Sequence, residues 1–157
     1  MSEPTVMIIG AGMGQVPAIR TARRLGWKSI AIDRNPTAPG MALADVAHSV
    51  DIVDMHAALQ VARAERVSGV LTMQSDIGVP TVGFINESLG LTGIDLATAQ
   101  LCSEKDLTRT RWAAANVPQP EFRIVHTHTE AVSAANALGF PVVAKAADAS
   151  GSRGIIK

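Results

Sequence analysis

The chain has 157 residues, 47% of them hydrophobic and 18% charged, with a mean hydropathy of +0.21. It can therefore hold one complete domain with part of another, and can bury a core rather than stay disordered. Fourteen Lys and Arg balance fourteen Asp and Glu, which offers no basic surface to nucleic acid or to an anionic membrane.

The single cysteine, Cys102, excludes an internal disulfide and fits a reducing, cytoplasmic setting. No apolar run reaches the ~18 residues a bilayer span needs. Aromatic residues make up 3% and Tyr is absent, so the core must come from Val, Ile, Leu, Ala and Met.

In chain order, Thr5–Ile9 (TVMII) is a β-branched run expected to be a buried parallel strand. Gly10–Gly14 is a glycine-rich turn. A helix follows with Val16, Ile19, Ala22 and Leu25 on one stripe, Pro17 in its first turn and Gly26 at its end. Ser29–Asp33 is the second strand, and the loop after it carries Asn35-Pro36 and Pro39-Gly40. His48–Ile52 is the third strand. Asp54 caps a helix that places Met55, Leu59 and Ala62 on one face. Val67–Met73 is the fourth strand, Gln74-Ser75-Asp76 a polar loop, and the next helix runs from near Val79, with Pro80 in its first turn, to Gly90. This strand–helix alternation predicts an α/β, Rossmann-like parallel sheet with helices on both faces over residues 1–95.

Residues 96–157 read differently, as the incomplete start of an α+β subdomain. Asp95–Cys102 is a short helix. Ser103-Glu104-Lys105-Asp106 has the S-x-x-D form of a capping signal and opens a helix to about Asn116. Pro118 and Pro120 impose extension, Glu121–Val125 is a strand, and Thr129–Leu138 a helix stopped by Gly139. Pro141–Ala147 is a strand, Asp148–Gly154 a polar loop and Gly154–Lys157 the start of another strand. A strand that begins so near the last residue is expected of a truncated chain.

Three places carry chemistry. The turn Gly10-Ala11-Gly12-Met13-Gly14-Gln15 follows a strand and opens a helix, where backbone N–H groups can hold an anion. Asp33 stands where dinucleotide folds bond a ribose hydroxyl, but the turn lacks the last glycine of G-x-G-x-x-G. A plain tight turn, a small-molecule contact and a dinucleotide site all stay open on these residues. Asp76, at the carboxyl end of the fourth strand, can bind an amine or hydroxyl of a substrate, or cap the helix after it. Lys145 lies in the apolar run PVVAKAA, where a cation costs free energy unless it is paired or reaches a cleft. Small residues follow it at once, and their free N–H groups, with the charge of Arg153, suit phosphate oxygens without forming a Walker A motif. Lys105, in the first turn of its helix, opposes the helix dipole, a fault more easily understood if it serves an anionic ligand. His126 and His128 alternate without an evident third metal ligand, His48 and His56 are isolated, and Cys102 reads as a small buried hydrophobe.

The strings MIIGAGMGQVPAIRTARRLGW, AIDRNPTAPGMALAD and GVLTMQSDIGVPTV resemble the pre-ATP-grasp domain of ATP-grasp ligases. SEKDLTRTRWAAANVPQPEF resembles that superfamily's entry pattern D-K-x-x-x-[RK]-x-x-L-x-x-x-G-[VI]-P-x-P, and LGFPVVAKAADASGSRGI its lysine strand and glycine-rich phosphate loop. The resemblance extends over essentially the whole chain, to carbamoyl-phosphate synthase large-chain-like and biotin carboxylase-like proteins among others. It implies that Lys105 and Lys145 approach the ATP phosphates, that Ser150, Gly151, Ser152, Arg153 and Gly154 form the flap over them, and that Gly10, Gly12 and Asp76 line the carboxylate-substrate side. It implies ATP and Mg²⁺ as cofactors, with the metal ligands and the adenine site beyond residue 157, so that the chain alone lacks a complete active site. The implied partner is a small-molecule carboxylate, with a second copy of the chain as one option. Departures from the family's patterns include Glu104 in place of Asp, Asn116 in place of Gly and Ala146 in place of Pro. The competing readings are a nicotinamide-binding Rossmann oxidoreductase and a non-catalytic binding module.

Overall fold

The computed structural model describes residues 3–147 and the short strand Ile155–Ile156. It forms two compact units, Met1–Gln100 and Leu101–Lys157. The first is a parallel four-stranded sheet of β1 (Thr5–Ile9), β2 (Lys28–Asp33), β3 (Val46–Ser49) and β4 (Gly69–Leu71), in the order β3-β2-β1-β4. Alternation along β1 divides the core. Val6 and Ile8 pack with Ile19 and Ala22 of α1 (Val16–Arg24) and with Ala31 and Ala38. Met7 and Ile9 face the other way, onto Ala58, Leu59 and Ala62 of α2 (Met55–Ala64) and Val82 and Ile85 of α3 (Val79–Leu89). The α/β architecture with helices on both faces is therefore as the sequence implied.

Local signals hold where the backbone chemistry is self-contained. Pro17 and Pro80 sit in the first turns of α1 and α3, and the left-handed Gly90 ends α3. Asp54 Oδ1 accepts from Ala57 N at 3.0 Å and caps α2. The strands are shorter or shifted, because a strand lasts only as long as its partner. β3 runs over Val46–Ser49 instead of His48–Ile52, paired with Ile30–Asp33 alone. β4 keeps only Gly69–Leu71 of the expected run, paired with Val6–Ile8, and Thr72 Oγ1 takes over by donating to Ile9 O at 2.8 Å. The α1 stripe closes at Ala22, and Leu25, beyond the last turn, is 52% exposed.

On the α2 side, Glu65 accepts from Lys28 Nζ at 2.9 Å and meets His48 Nε2 at 3.0 Å. The Lys28 bond first, then His48, holds the Glu65 carboxyl below its ordinary range. A carboxylate with a lowered folded-state pKa contributes stability above its unfolded value, about 4.3, and loses it as pH falls through the folded one. Glu65→Gln should therefore lower stability at pH 7 and weaken its fall on acidification, read by urea melts between pH 7 and pH 3; an unchanged acid limb would contradict this.

In the second unit, α4 (Leu96–Ser103) continues out of the first, followed by α5 (Lys105–Ala114), α6 (His128–Leu138) and a two-stranded antiparallel hairpin of β5 (Ala144–Lys145) and β6 (Ile155–Ile156). None of the described residues from 101 to 147 is buried. That corrects three expectations. Cys102 is exposed, since the unit offers no described core to cover it. Glu121–Val125 forms no strand, because no described strand lies beside it and Pro118 and Pro120 remove donors next to it. The strand at Pro141–Ala147 shrinks to Ala144–Lys145, both exposed.

The expected S-x-x-D cap is also absent. Ser103 ends α4, and Glu104 takes the N-cap place of α5 without a side-chain cap bond. A working box lies further on, unread in the sequence: Thr127 and Glu130 cap the start of α6 reciprocally. Asn116 explains one family departure. Its φ is 55°, so the pattern's glycine slot is a left-handed helix end that Asn tolerates best among side-chain residues. Asn116→Gly should be neutral or raise stability by up to about 0.5 kcal/mol on that ground, measured by thermal melting; a clear loss would contradict it.

Candidate functional site

In the strand order β3-β2-β1-β4 the chain leaves β1 toward β2 and returns on the other side as β4. Ligands of open α/β sheets bind at such a reversal, outside the carboxyl ends of the strands. Here those ends run into the Gly10–Gln15 turn and the Thr72–Asp76 loop.

Gly10 ends β1 at φ 95°, which favours glycine, and its N–H donates to Ile32 O at 2.9 Å. Asp33 is spent on the scaffold: Oδ2 accepts from Ala11 N and Oδ1 from Asn35 N, both at 2.9 Å. It ties the glycine turn to the end of β2, a sufficient reason for an acid there without any ribose. Asp76 opens a short 3-10 turn, Asp76–Gly78, and is exposed on the rim.

The two loops touch through Gln15 and Gln74, for which the sequence alone indicated no mutual contact. Gln15 is only 6% exposed, and its Nε2 donates to Met73 O. Gln74 takes a left-handed φ of 54°, and its side chain lies over Gly14. Gly10, Gly12 and Asp76 are thus brought onto adjoining loops of one rim.

In the second unit Lys105 reaches the segment that follows Lys145. Ala147 O accepts from the Lys105 backbone N at 3.1 Å and from Lys105 Nζ at 3.3 Å. The first turn of α5 is thereby fixed to the chain two residues beyond Lys145, where the polar loop begins. Lys145 itself is exposed, so the desolvation cost its apolar surroundings suggested does not arise. The expected flap, Ser150, Gly151, Ser152, Arg153 and Gly154, lies outside the described residues. Arg109, the cation of the family's entry pattern, exchanges two bonds with Gln119: Nη1 donates to Gln119 Oε1 at 3.1 Å and Gln119 Nε2 to Arg109 O at 3.0 Å. It anchors the segment after α5. Among the described residues no group of His, Cys, Asp and Glu could hold a metal ion, and no helix is long and apolar enough to cross a membrane.

No protein-family model matches the chain. It is 33% identical over 153 residues to a formate-dependent phosphoribosylglycinamide formyltransferase from Synechococcus sp. strain CC9605, a match covering 96% of this chain and 38% of that protein. Among solved structures it resembles phosphoribosylglycinamide synthetase from Anaerococcus prevotii, at 27% identity and a TM-score of 0.74, over 94% of this chain and 38% of that one. The biotin carboxylase domain of 2-oxoglutarate carboxylase from Hydrogenobacter thermophilus, solved as a dimer with MgADP, shares the fold at 21% identity and a TM-score of 0.76, over 99% of this chain and 37% of that one. The chain thus spans about two-fifths of the length of these relatives. The relatives are ATP-dependent ligases, and the matches fall in their amino-terminal part. By sequence and by fold, the chain is similar to the amino-terminal region of these ATP-grasp superfamily members.

Proposed function

We propose that this chain is the amino-terminal portion of an ATP-dependent carboxylate–amine, or related, ligase that works in the cytoplasm through an acyl-phosphate intermediate. Residues 1–95 form the pre-ATP-grasp domain and 96–157 the start of the ATP-grasp domain. The observation that carries the reading is the double bond set of Lys105 on Ala147 O, which joins the first turn of α5 to the base of the lysine hairpin. Two lysines and, next in the sequence, a run of small residues suit a triphosphate, whose charge is the main obstacle to binding and transfer.

In this reading Lys105 and Lys145 hold phosphate oxygens, and the N–H groups of Ser150, Gly151, Ser152 and Gly154, with the Arg153 charge, close over them. Gly10, whose own N–H is held by Ile32 O, lets the turn approach the carboxylate substrate, Gly12 presents its backbone N–H to it, and Asp76 orients its partner amine. ATP and Mg²⁺ supply the transferable phosphoryl group and the neutralising charge. No metal ligand is assigned to this chain, which alone does not complete the reaction. A homodimer is compatible with the reading, as the MgADP-bound relative was solved as a dimer.

The test is calorimetric titration with ATP–Mg²⁺ and, in parallel, with NADH. Saturable ATP binding is expected. Lys105→Met and Lys145→Met should each weaken it by roughly tenfold or more, the usual worth of a bond to a charged group. Binding of NADH with no response to ATP would overturn the proposal in favour of a nicotinamide-dependent enzyme.

A further inference from the structure

Gln15 occupies the N-cap place of α1, yet makes no side-chain cap bond. The helix start does not call on that side chain: Pro17 has no N–H, and Ala18 N donates to Gln15 O at 3.0 Å. The Gln15 side chain lies back across the glycine turn. A Cβ on Gly10 would meet Gln15 Cδ at 3.2 Å, and one on Gly12 would meet Gln15 Oε1 at 3.2 Å. From there Nε2 donates to Met73 O, in the loop after β4. The reciprocal contact is as close: a Cβ on Gly14 would stand 3.0 Å from Gln74 Oε1 and 3.1 Å from Gln74 Cβ. Gln74 holds the left-handed backbone that brings it there at some cost in strain.

We infer that Gln15 is a positioning residue that fixes the spacing between the glycine turn and the Met73–Asp76 loop, and so sets how the N–H groups of the turn converge on an anionic part of the substrate. The inference rests on the proposed substrate role of Gly10, Gly12 and Asp76. In this role Gln15 acts through the turn, its side chain buried and its donor spent on Met73 O. A donor is needed at this reach, since the acceptor is a backbone carbonyl.

The test compares the wild type with Gln15→Met, which keeps the length and loses the donor, and Gln15→Glu, which puts a carboxylate against the Met73 carbonyl. Inorganic phosphate is the probe, titrated while the backbone amides of Gly10–Gly14 are followed by NMR. Amide exchange at Gly12, Gly14, Gln74 and Ser75 is measured in parallel. Both variants should speed exchange at these four positions and weaken phosphate binding by roughly tenfold, the equivalent of one lost hydrogen bond, with exchange in the β1–β2 core unchanged. Wild-type exchange at the four positions in Gln15→Met overturns the inference, as does a loss spread evenly over the whole first unit, which marks a merely structural role. If the wild type itself binds no phosphate, the substrate reading of the turn fails. The four-position exchange then still decides whether Gln15 couples the loops.

Discussion

Ile32→Ala is expected to lower the stability of the first unit by about 3 kcal/mol, within the range found for emptying a fully buried aliphatic site. Ile32 is 0% exposed and packs in the cluster of Met7, Ile9, Ile30, Ala58, Leu59, Ala62, Val82 and Ile85. The buried cluster itself is built of Met, Ile, Leu, Val and Ala, with the Phe84 ring only at its partly buried margin. β2 is also paired on both sides, by β1 and β3, so its backbone cannot collapse inward. A drop of roughly 12 °C in melting temperature should follow at about 4 °C per kcal/mol. Urea denaturation followed by far-ultraviolet circular dichroism gives the free energy, and a midpoint within error of the wild type would refute the layered packing.

Gly83→Ala should also destabilise the first unit, although it adds one methyl group and removes a poor helix former. Gly83 lies within α3, where alanine would ordinarily help by up to about 1 kcal/mol. Here a Cβ would stand 2.6 Å from Asp95 O and 2.7 Å from Ala99 Cβ. Both distances are below van der Waals contact, and one is to backbone, which cannot rotate away. Ala99 is fully buried and its N–H donates to Asp95 O at 2.9 Å, so the start of α4 would have to move as a body. Overpacking of this kind costs about 1–3 kcal/mol, which exceeds the propensity gain. The melting temperature of Gly83→Ala should fall; a rise would show that α3 and α4 are not in contact at this point.

What could be read from the sequence and what could not divide along a physical line. β1, the glycine turn, the prolines in the first turns of α1 and α3, the Asp54 cap and the Gly90 stop are local: each depends on a few neighbouring residues, and each is where it was expected. Strand limits are not local. β4 loses Thr72 and Met73 because β1 offers partners only from Val6 to Ile8, and nothing in the run VSGVLTM encodes that. Lys145 shows the same gap. An apolar run of seven residues reads as a buried strand, yet two residues pair and both are exposed.

The site was partly legible. Family motifs pointed to Lys105 and Lys145, and the Ala147 carbonyl joins their segments. The bond of Gln15 was not legible because its partner lies 58 residues away, and a glutamine after a glycine turn carries no sequence signal of it. The box at Thr127–Glu130 is different: T-x-x-E is a local signal in the sequence, whereas the S-x-x-D at Ser103 opens no helix. There α4 runs through Ser103 and leaves Glu104 at the N-cap, one methylene longer than the aspartate of the family pattern.

Labelling with an acyl-phosphate derivative of ATP, which acylates lysines beside bound phosphates, tests the triphosphate grip most directly. The chain has four lysines: Lys28, Lys105, Lys145 and Lys157. Lys28 is paired with Glu65 at the opposite end of the first sheet from the glycine turn and serves as the internal control. The account predicts acyl transfer to Lys105 and Lys145, suppressed by excess ATP–Mg²⁺, as read by peptide mass spectrometry. Equal labelling of Lys28, or labelling of Lys105 and Lys145 that ATP does not suppress, would contradict it.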